Sequence, residues 1–323
     1  MRVAAIQMTA GLGTVDANLE SARRLAEKAF EAGAQLVVLP EFFSSAMAFS
    51  PSLVLADRPA DGEPFLLMKN LAAKHNGIVG GSFIADVNGR VRNRFVLVFA
   101  DGTSFFHDKD QPTMWENCYY EGGQDDGVLD TPLGRVGVAL CWEFVRCRTA
   151  RRLLGRVDLV VGGSCWWTLP QKHLPGFGPN LHAEMLEVMK QTPARMARML
   201  GVPVVHAAHA GSFAGRMPLL PGFAYNSHLL GETMIVDASG RILARLPFES
   251  GEGFVIADLD LAQKSEPVEP IPQGFWIPRL PRRIRAVWAY QNLHGAIYRR
   301  LVTSRARRAR DRKEQEGICS RGR

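Results

Sequence analysis

No run of eighteen or more consecutive apolar residues occurs in the 323-residue chain, so no segment is predicted to cross a bilayer as a helix. The opening stretch MRVAAIQM turns polar too early for a secretory signal, and a cytoplasmic location is the resulting expectation. Cysteine is sparse: five residues, at 118, 141, 147, 165 and 319, an odd number with no CxxC pair. That usage excludes a disulfide framework and a structural zinc site as readings, and it predicts reduced thiols. Low-complexity linkers before residue 267 and internal repeats are also lacking, which favours one domain over two. A hydrophobic content of 46% with 22% charged residues is that of a globular chain able to bury a large core.

The formal charge of +7 is not spread along the chain. Residues 279–323 hold 14 Lys and Arg against 3 Asp and Glu, whereas residues 1–278 hold 25 against 29. The body is therefore mildly acidic and the tail strongly basic. Over the body, basic and aromatic residues do not interleave as a nucleic-acid surface requires, so no nucleic-acid partner is expected.

Short Val/Ile/Leu runs alternate with segments of helical spacing. RVAAIQM reads as a buried strand, and Leu19, Ala22, Leu25, Ala26, Ala29 and Phe30 define a helix with Asp16 as its cap and Gly33 at its end. QLVVLP is a second strand, residues 63–76 a helix, and GIVGGSFIAD with RFVLVFAD a hairpin about the turn NGR. SFFHDKD, GRVGVALC, VDLVVGG and VPVVHAAH continue the strands, with helices over TARRLLG and about 181–200. GETMIVDASGRILARL makes a second hairpin and GFVIADLDL a last strand. The pattern predicts an α/β protein with a mixed sheet covered by helices.

Glu41, Cys141 and Lys109 each stand just past a strand. Where strands run parallel, residues at their carboxyl ends converge although far apart in sequence. A free thiol, with a pKa near ~8.5, needs a cation or a base before it attacks anything. A lysine about 4 Å from a thiolate supplies about 4 kcal/mol at an effective dielectric of roughly 20, about 3 pKa units before desolvation is subtracted. A carboxylate beside the sulfur opposes that shift but can take the thiol proton and return it to a leaving amine. Together the three supply a base, an oxyanion stabiliser and a nucleophile for acyl transfer without a metal or other cofactor.

Five stretches carry a resemblance: VAAIQM, ANLESARRLAEKAFEAGAQLVVLPEFF around Glu41, HDK at Lys109, ALCWEF at Cys141 and GETMIVDASGRIL near the end. In order and spacing they resemble the nitrilase superfamily of carbon–nitrogen hydrolases over about residues 1–265. The resemblance implies a four-layer α-β-β-α sandwich, commonly dimerised through helices beside the active sites, and a Glu-Lys-Cys triad. Residue by residue, Glu41 matches the general base, Lys109 the oxyanion-stabilising lysine and Cys141 the nucleophile, with the Trp142 backbone N–H as a second oxyanion donor. In WENCYYEGG, Glu116 stands where many members carry a second glutamate, 25 positions before Cys141, and Glu121 fits that place less well. The chain departs from the pattern in KDQPTMWE, where the lysine is commonly followed by x-H-L, and in HAAHAG, where relatives often show AAN. His206 and His209 therefore bear on substrate choice.

The expected activity is hydrolysis of a small amide or carbamoyl compound through a cysteine thioester. A true nitrilase is the alternative within the class, acyl transfer from the same thioester a second, and a non-catalytic scaffold working through its basic tail an alternative outside it. Trp142, Trp166, Trp167 and His206 are the candidate substrate-binding residues; Trp166 and Trp167 either form an aromatic wall or cover the core. Glu143 is read as pinning the turn that aims the nucleophile, and Cys118, Cys147 and Cys165 as packing residues.

Beyond the hydrolase domain at 1–265, residues 266–303 form an extension with an amphipathic helix. Its stripe is Ala286, Tyr290, Leu293, Ile297 and Leu301, flanked by Arg282, Arg283, Arg285, Arg299 and Arg300. Docking of that stripe on the body or on a sister subunit is the expectation, with contact to an anionic membrane the alternative. Residues 304–323 read as a disordered basic tail. A homodimer or higher homo-oligomer is the expected assembly.

Overall fold

The computed structural model describes residues 1–168, 180–217, 224–262, 264–278, 280 and 282–321. Its strands are β1 Arg2–Met8, β2 Leu36–Val38, β3 Arg58–Pro59, β4 Ile78–Val87, β5 Arg90–Val98, β6 Ser104–Asp108, β7 Val128–Thr131, β8 Gly134–Leu140, β9 Leu159–Ser164, β10 Val204–Arg216, β11 Ala224–Leu230, β12 Thr233–Val236, β13 Ile242–Leu246 and β14 Gly253–Asp258. The helices are α1 Val15–Glu31, α2 Glu63–His75, α3 Cys147–Leu153, α4 Asn180–Leu200, α5 Arg282–Tyr298 and α6 Ser304–Arg321.

Hydrogen bonding links the strands in the order β6-β5-β4-β2-β1-β10-β9-β8-β7. At the middle of that order β1 and β10 pair only at Gln7–Ala208 and Met8–His209. Below that joint the two halves face each other across a core in which Val3, Ala5, Leu36 and Val38 meet Val138, Leu140, Val161 and Val205. The alternate residues of the same strands point outward, as the period of two requires. Ala4, Ile6 and Val37 pack against Ala22, Leu25 and Ala26 of α1 and Leu71 of α2. On the far side Ala139, Val160 and Val204 pack against Ala150 and Leu153 of α3 and Ala197 and Leu200 of α4. Three apolar layers between four layers of structure make the α-β-β-α sandwich.

Most of the expected elements are present, with local differences. Asp16 lies within the first turn of α1 rather than capping it; Thr14 is the N-cap residue. There the carboxylate still favours the positive end of the helix dipole. The β4–β5 hairpin turns through Asn88 and Gly89, both at positive φ (53° and 81°), the backbone a two-residue turn of this kind demands.

Two differences concern the C-terminal extension. Residues 304–321 are helical in α6, where the charge run predicted disorder; residues 322–323 lie outside the described residues. The run finds its counter-charge on the body, where Arg307 Nε donates to Asp57 Oδ1 at 2.8 Å and Arg310 Nη2 to Asp57 Oδ2 at 3.0 Å. The predicted docking stripe is also reversed. Tyr290, Leu293, Ile297 and Leu301 are exposed, while Ile284, Gln291 and Gly295 face the body. The buried face is interrupted by Gln291, Asn292 and Gly295, and so carries no continuous apolar periodicity. Gly295 is needed for close approach, since a Cβ there would stand 2.6 Å from Asn117 Cβ. The side chain of Arg283 lies outside the described residues. Among the described residues no helix is long and apolar enough to cross a membrane.

Candidate active site

Strands β2, β1, β10, β9 and β8 run parallel, so their carboxyl ends open on one side of the sandwich. Glu41 follows β2, Lys109 follows β6, and Cys141 is the first residue after β8. Glu116 comes from a short 3-10 helix, Met114–Cys118, that crosses in front of them. Cys141 takes a φ of 50°, and Phe42 and Met114, next to or near the two glutamates, each take 55°. Such conformations cost about 1–3 kcal/mol each in non-glycine residues, and here three of them surround one cluster.

Lys109 Nζ donates to Glu41 Oε1 and to Glu116 Oε2, each at 2.8 Å. Both carboxylates accept further hydrogen bonds. Asn93 Nδ2 donates to Glu41 Oε1 at 2.8 Å and the Cys165 N–H to Glu41 Oε2 at 3.0 Å. Glu116 Oε2 accepts the Thr113 N–H at 2.9 Å and the Tyr120 hydroxyl. A carboxylate oxygen of each glutamate and the Cys141 Sγ lie within 4.8 Å of one another. Those three are also the one group of carboxylate and thiol ligands, among the described residues, compact enough for a metal ion. The Lys109 ammonium already stands between the carboxylates and repels a second cation.

Every member of this cluster is buried. Burial raises the Glu41 carboxyl to about 7, with Lys109 pulling it down and Glu116 pushing it up. Burial works against the Lys109 ammonium too, yet Glu116 and Glu41 outweigh it and hold the lysine charged. Burial pushes the Cys141 thiol well above its usual range, Glu41 adds to the rise, and Lys109 offsets only part of it. The simple lysine–thiolate estimate gave a lowered thiol; desolvation and the two carboxylates reverse its sign. Both shifts favour a resting sulfur that keeps its proton, with the Glu41 carboxyl beside it.

A second polar group fixes the nucleophile's turn. Glu143 Oε2 accepts the Leu140 N–H at 2.9 Å and Glu143 Oε1 the Asp110 N–H at 3.1 Å, which ties the cysteine turn to the lysine strand. The first amides of the 3-10 turn Cys141–Val145, Trp142 among them, have no acceptor within that turn.

The expected substrate residues separate. Trp142, Trp166 and Trp167 line a cavity of about 10 Å³ with Met114, Thr168, Met185 and Ile284. Five of these seven belong to the apolar cluster that contains Cys141, and Trp167 packs against it. The volume admits about one water. His206 is directed elsewhere: its Nε2 meets Ser164 Oγ at 2.8 Å, its Nδ1 the Glu232 carbonyl at 3.2 Å, and its ring Phe144. His209 Nε2 is 2.8 Å from the Glu41 backbone oxygen. Glu121 is nearly half-exposed and pairs with Arg92 at 3.5 Å, outside the cluster. Residues 169–179, next to Trp166 and Trp167, lie outside the described residues.

Asn93, Ile284 and Asn292 were not anticipated from the sequence. Asn93 alone had a signal, being the polar residue in the buried phase Val91, Asn93, Phe95, Leu97 of β5. Asn292 Oδ1 accepts from the Met114 N–H at 3.1 Å and from Asn117 Nδ2 at 2.8 Å, so α5 braces the helix that carries Glu116.

A four-layer sandwich thus carries a buried Glu-Lys-Glu-Cys cluster at the carboxyl ends of its strands. The chain belongs to the carbon-nitrogen hydrolase family, whose model matches residues 2–266. It is 26% identical to nitrilase 3 of Arabidopsis thaliana over 296 residues, 81% of this chain and 79% of that protein. The omega-amidase of Xenopus laevis is 28% identical over 269 residues, 79% of this chain and 87% of that one. The N-carbamoylputrescine amidase of Solanum lycopersicum is 30% identical over 152 residues, 44% of this chain, and the match spans only half (50%) of that relative's length. Among solved structures, a carbon-nitrogen hydrolase from Helicobacter pylori G27 has a similar fold, with TM-score 0.64 at 20% identity over 81% of this chain and 90% of that one. The amidase from Nesterenkonia sp. AN1, a structure in which acrylamide has added to the active-site cysteine, gives TM-score 0.62 at 19% identity over 80% and 93%.

Proposed function

We propose that the protein hydrolyses the carbon–nitrogen bond of a small, uncharged amide or carbamoyl compound through a thioester on Cys141. The observation that carries this reading is the Lys109 ammonium held at 2.8 Å from both Glu41 and Glu116 beside the Cys141 sulfur. Glu41 takes the thiol proton as sulfur attacks the carbonyl carbon, and Lys109 with the Trp142 N–H stabilises the negative oxygen. Collapse of that intermediate breaks the C–N bond, and Glu41 returns the proton to the departing ammonia or amine. Water, deprotonated by Glu41, then attacks the thioester; the acid leaves and the proton returns to sulfur. Glu116 orients Lys109. The three tryptophans and two methionines around the cavity suit an apolar substituent on the substrate.

Incubation with a panel of amides, carbamoyl compounds and nitriles, scored for ammonia release, tests the reading. Turnover of amides or carbamoyl compounds, with an acyl adduct of matching mass on Cys141, supports it. Retained turnover in Cys141→Ala ends it. Consumption of nitriles alone would favour the nitrilase alternative, which the likeness to nitrilase 3 over 81% of the chain keeps in view.

A further inference from the structure

The C-terminal helices are attached by hydrogen bonds as well as by apolar contacts of Ile284, Trp288 and Tyr298. Asn292 holds Met114 and Asn117, Thr303 Oγ1 donates to the Cys118 carbonyl at 2.7 Å, Arg299 donates to the Asn117 carbonyl at 3.3 Å, and Arg307 reaches Asp57. These anchors leave a second apolar stripe facing outward. Tyr290, Leu293, Ile297, Leu301 and Val302 are exposed by 42–66%, five of the twelve exposed large apolar side chains among the described residues, gathered within thirteen positions. A π-helical turn at Arg299–Thr303 places Leu301 and Val302 together on the surface while burying Thr303. Single exposed leucines are ordinary, whereas a stripe along the second half of α5 and its π-helical continuation marks a contact surface.

The charge around the stripe indicates what it contacts. Arg282, Arg285, Arg300, Arg305 and Arg308 are exposed along the same two helices, and none of them makes an ion pair among the described residues. From residue 282 to residue 310 the sequence has no Asp or Glu. Pairing this face with the same face of a second copy would set two rows of guanidinium groups side by side with no carboxylate between them. An anionic surface receives both features at once, side chains of the stripe entering the acyl boundary and guanidinium groups meeting phosphates.

We propose that the outer face of α5 and its continuation is a docking surface for an anionic lipid bilayer, with the helix lying in the plane of the interface. Because the inner face of α5 supplies Ile284 and Trp288 to the apolar cluster around Cys141, the bilayer would lie across the outside of that wall. The proposal is independent of the hydrolytic reading.

Co-sedimentation of the full chain with vesicles tests it. At low salt the protein is expected to pellet with vesicles of phosphatidylcholine and phosphatidylglycerol in equal parts, and to stay in solution with phosphatidylcholine alone. Raising the salt roughly tenfold should release it. The double variant Leu293→Glu, Ile297→Glu, at exposed positions, should keep the native circular dichroism and lose binding; Arg300→Glu should weaken binding roughly fivefold or more. No pelleting with the anionic vesicles at low salt overturns the proposal. So does pelleting that survives the double variant, which would assign binding to the tail's charge alone. A dimer seen by light scattering in solution and abolished by the double variant also overturns it, in favour of a second copy as the occupant.

Discussion

His107 Nε2 lies 3.2 Å from Glu143 Oε2 in the buried layer behind the candidate nucleophile, and both side chains are fully enclosed. Burial opposes the charge on each, and each overcomes that penalty through the other. The Glu143 and Asp125 carboxylates hold His107 up at about 10, while His107 with Arg152 and Arg146 holds Glu143 well below the usual carboxylate range. The pair is an imidazolium–carboxylate ion pair at neutral pH, and through the Leu140 and Asp110 amides it fixes the spacing between the cysteine turn and the lysine strand.

The ion pair sets a pH window for stability. His107 has its folded pKa raised, so its contribution is complete below the unfolded value near 6.5 and is lost as pH rises toward 10. Glu143 is depressed, so its contribution is present above about 4.5 and is lost as pH falls. Urea midpoints should therefore decline between pH 7 and pH 10 in the wild type. His107→Gln should be less stable at pH 7 by up to about 3–5 kcal/mol, since Glu143 loses its nearest buried cation and keeps Arg152 at 3.5 Å. Its decline between pH 7 and pH 10 should also be shallower than that of the wild type, leaving what the buried thiols contribute, and equal slopes in the two proteins would refute the ion pair.

Glu41 predicts the acid limb of activity. With burial raising its carboxyl to about 7, kcat/KM should fall with decreasing pH through neutrality rather than near 4.5. Glu41→Gln should lower kcat by about 10²–10⁴-fold, since the thiol then has no acceptor for its proton. An acid limb that stays at the ordinary carboxylate position would show that another group takes the proton.

Glu116 has a different signature. It touches Lys109 and the Tyr120 hydroxyl, so Glu116→Gln should loosen the ammonium without removing the base or the nucleophile. A charge-assisted hydrogen bond of about 1.5–3 kcal/mol corresponds to roughly a 10–100-fold loss in kcat with KM little changed. Steady-state kinetics on one amide decides it: a loss confined to KM would place Glu116 on the substrate instead.

The reach of the sequence follows from what each feature depends on. Glu41, Lys109 and Cys141 each end a strand, and parallel strands bring such ends together by geometry alone, so their meeting was legible. Sheet and helices were legible for the same reason: buried strands and one-sided helices repeat locally. Asn292 and Asp57 were not, because their importance arises from partners 178 and 250 residues away that leave no periodic mark. The orientation of α5 failed on the same ground. Its apolar stripe suggested the docked side, but specific hydrogen bonds to residues 114–120 decide which side docks. His206 was misplaced because alternation along β10 fixes only which two faces are used, and the face carrying His206 packs on Phe144 and Ser164.

Ile284 brings the extension into the apolar cluster that holds Cys141. It is 4% exposed, lies beyond the residues matched by the family model, and closes one side of the cavity against Trp142 and Met185. Ile284 shares an apolar cluster with Cys141, so its side chain is expected to limit how large a substituent fits near the sulfur. Ile284→Ala removes carbons from the wall at a stability cost of about 2–5 kcal/mol. Each methylene of added room is worth about 1–3 kcal/mol in discrimination. The ratio of kcat/KM for a bulky aromatic amide to that for acetamide should therefore rise roughly tenfold or more. Alkylation of Cys141 by iodoacetamide, followed by intact mass, should accelerate in the same variant, because the reagent enters by the same route. An unchanged ratio together with an unchanged alkylation rate would mean that Ile284 packs the helix and does not border the substrate's path.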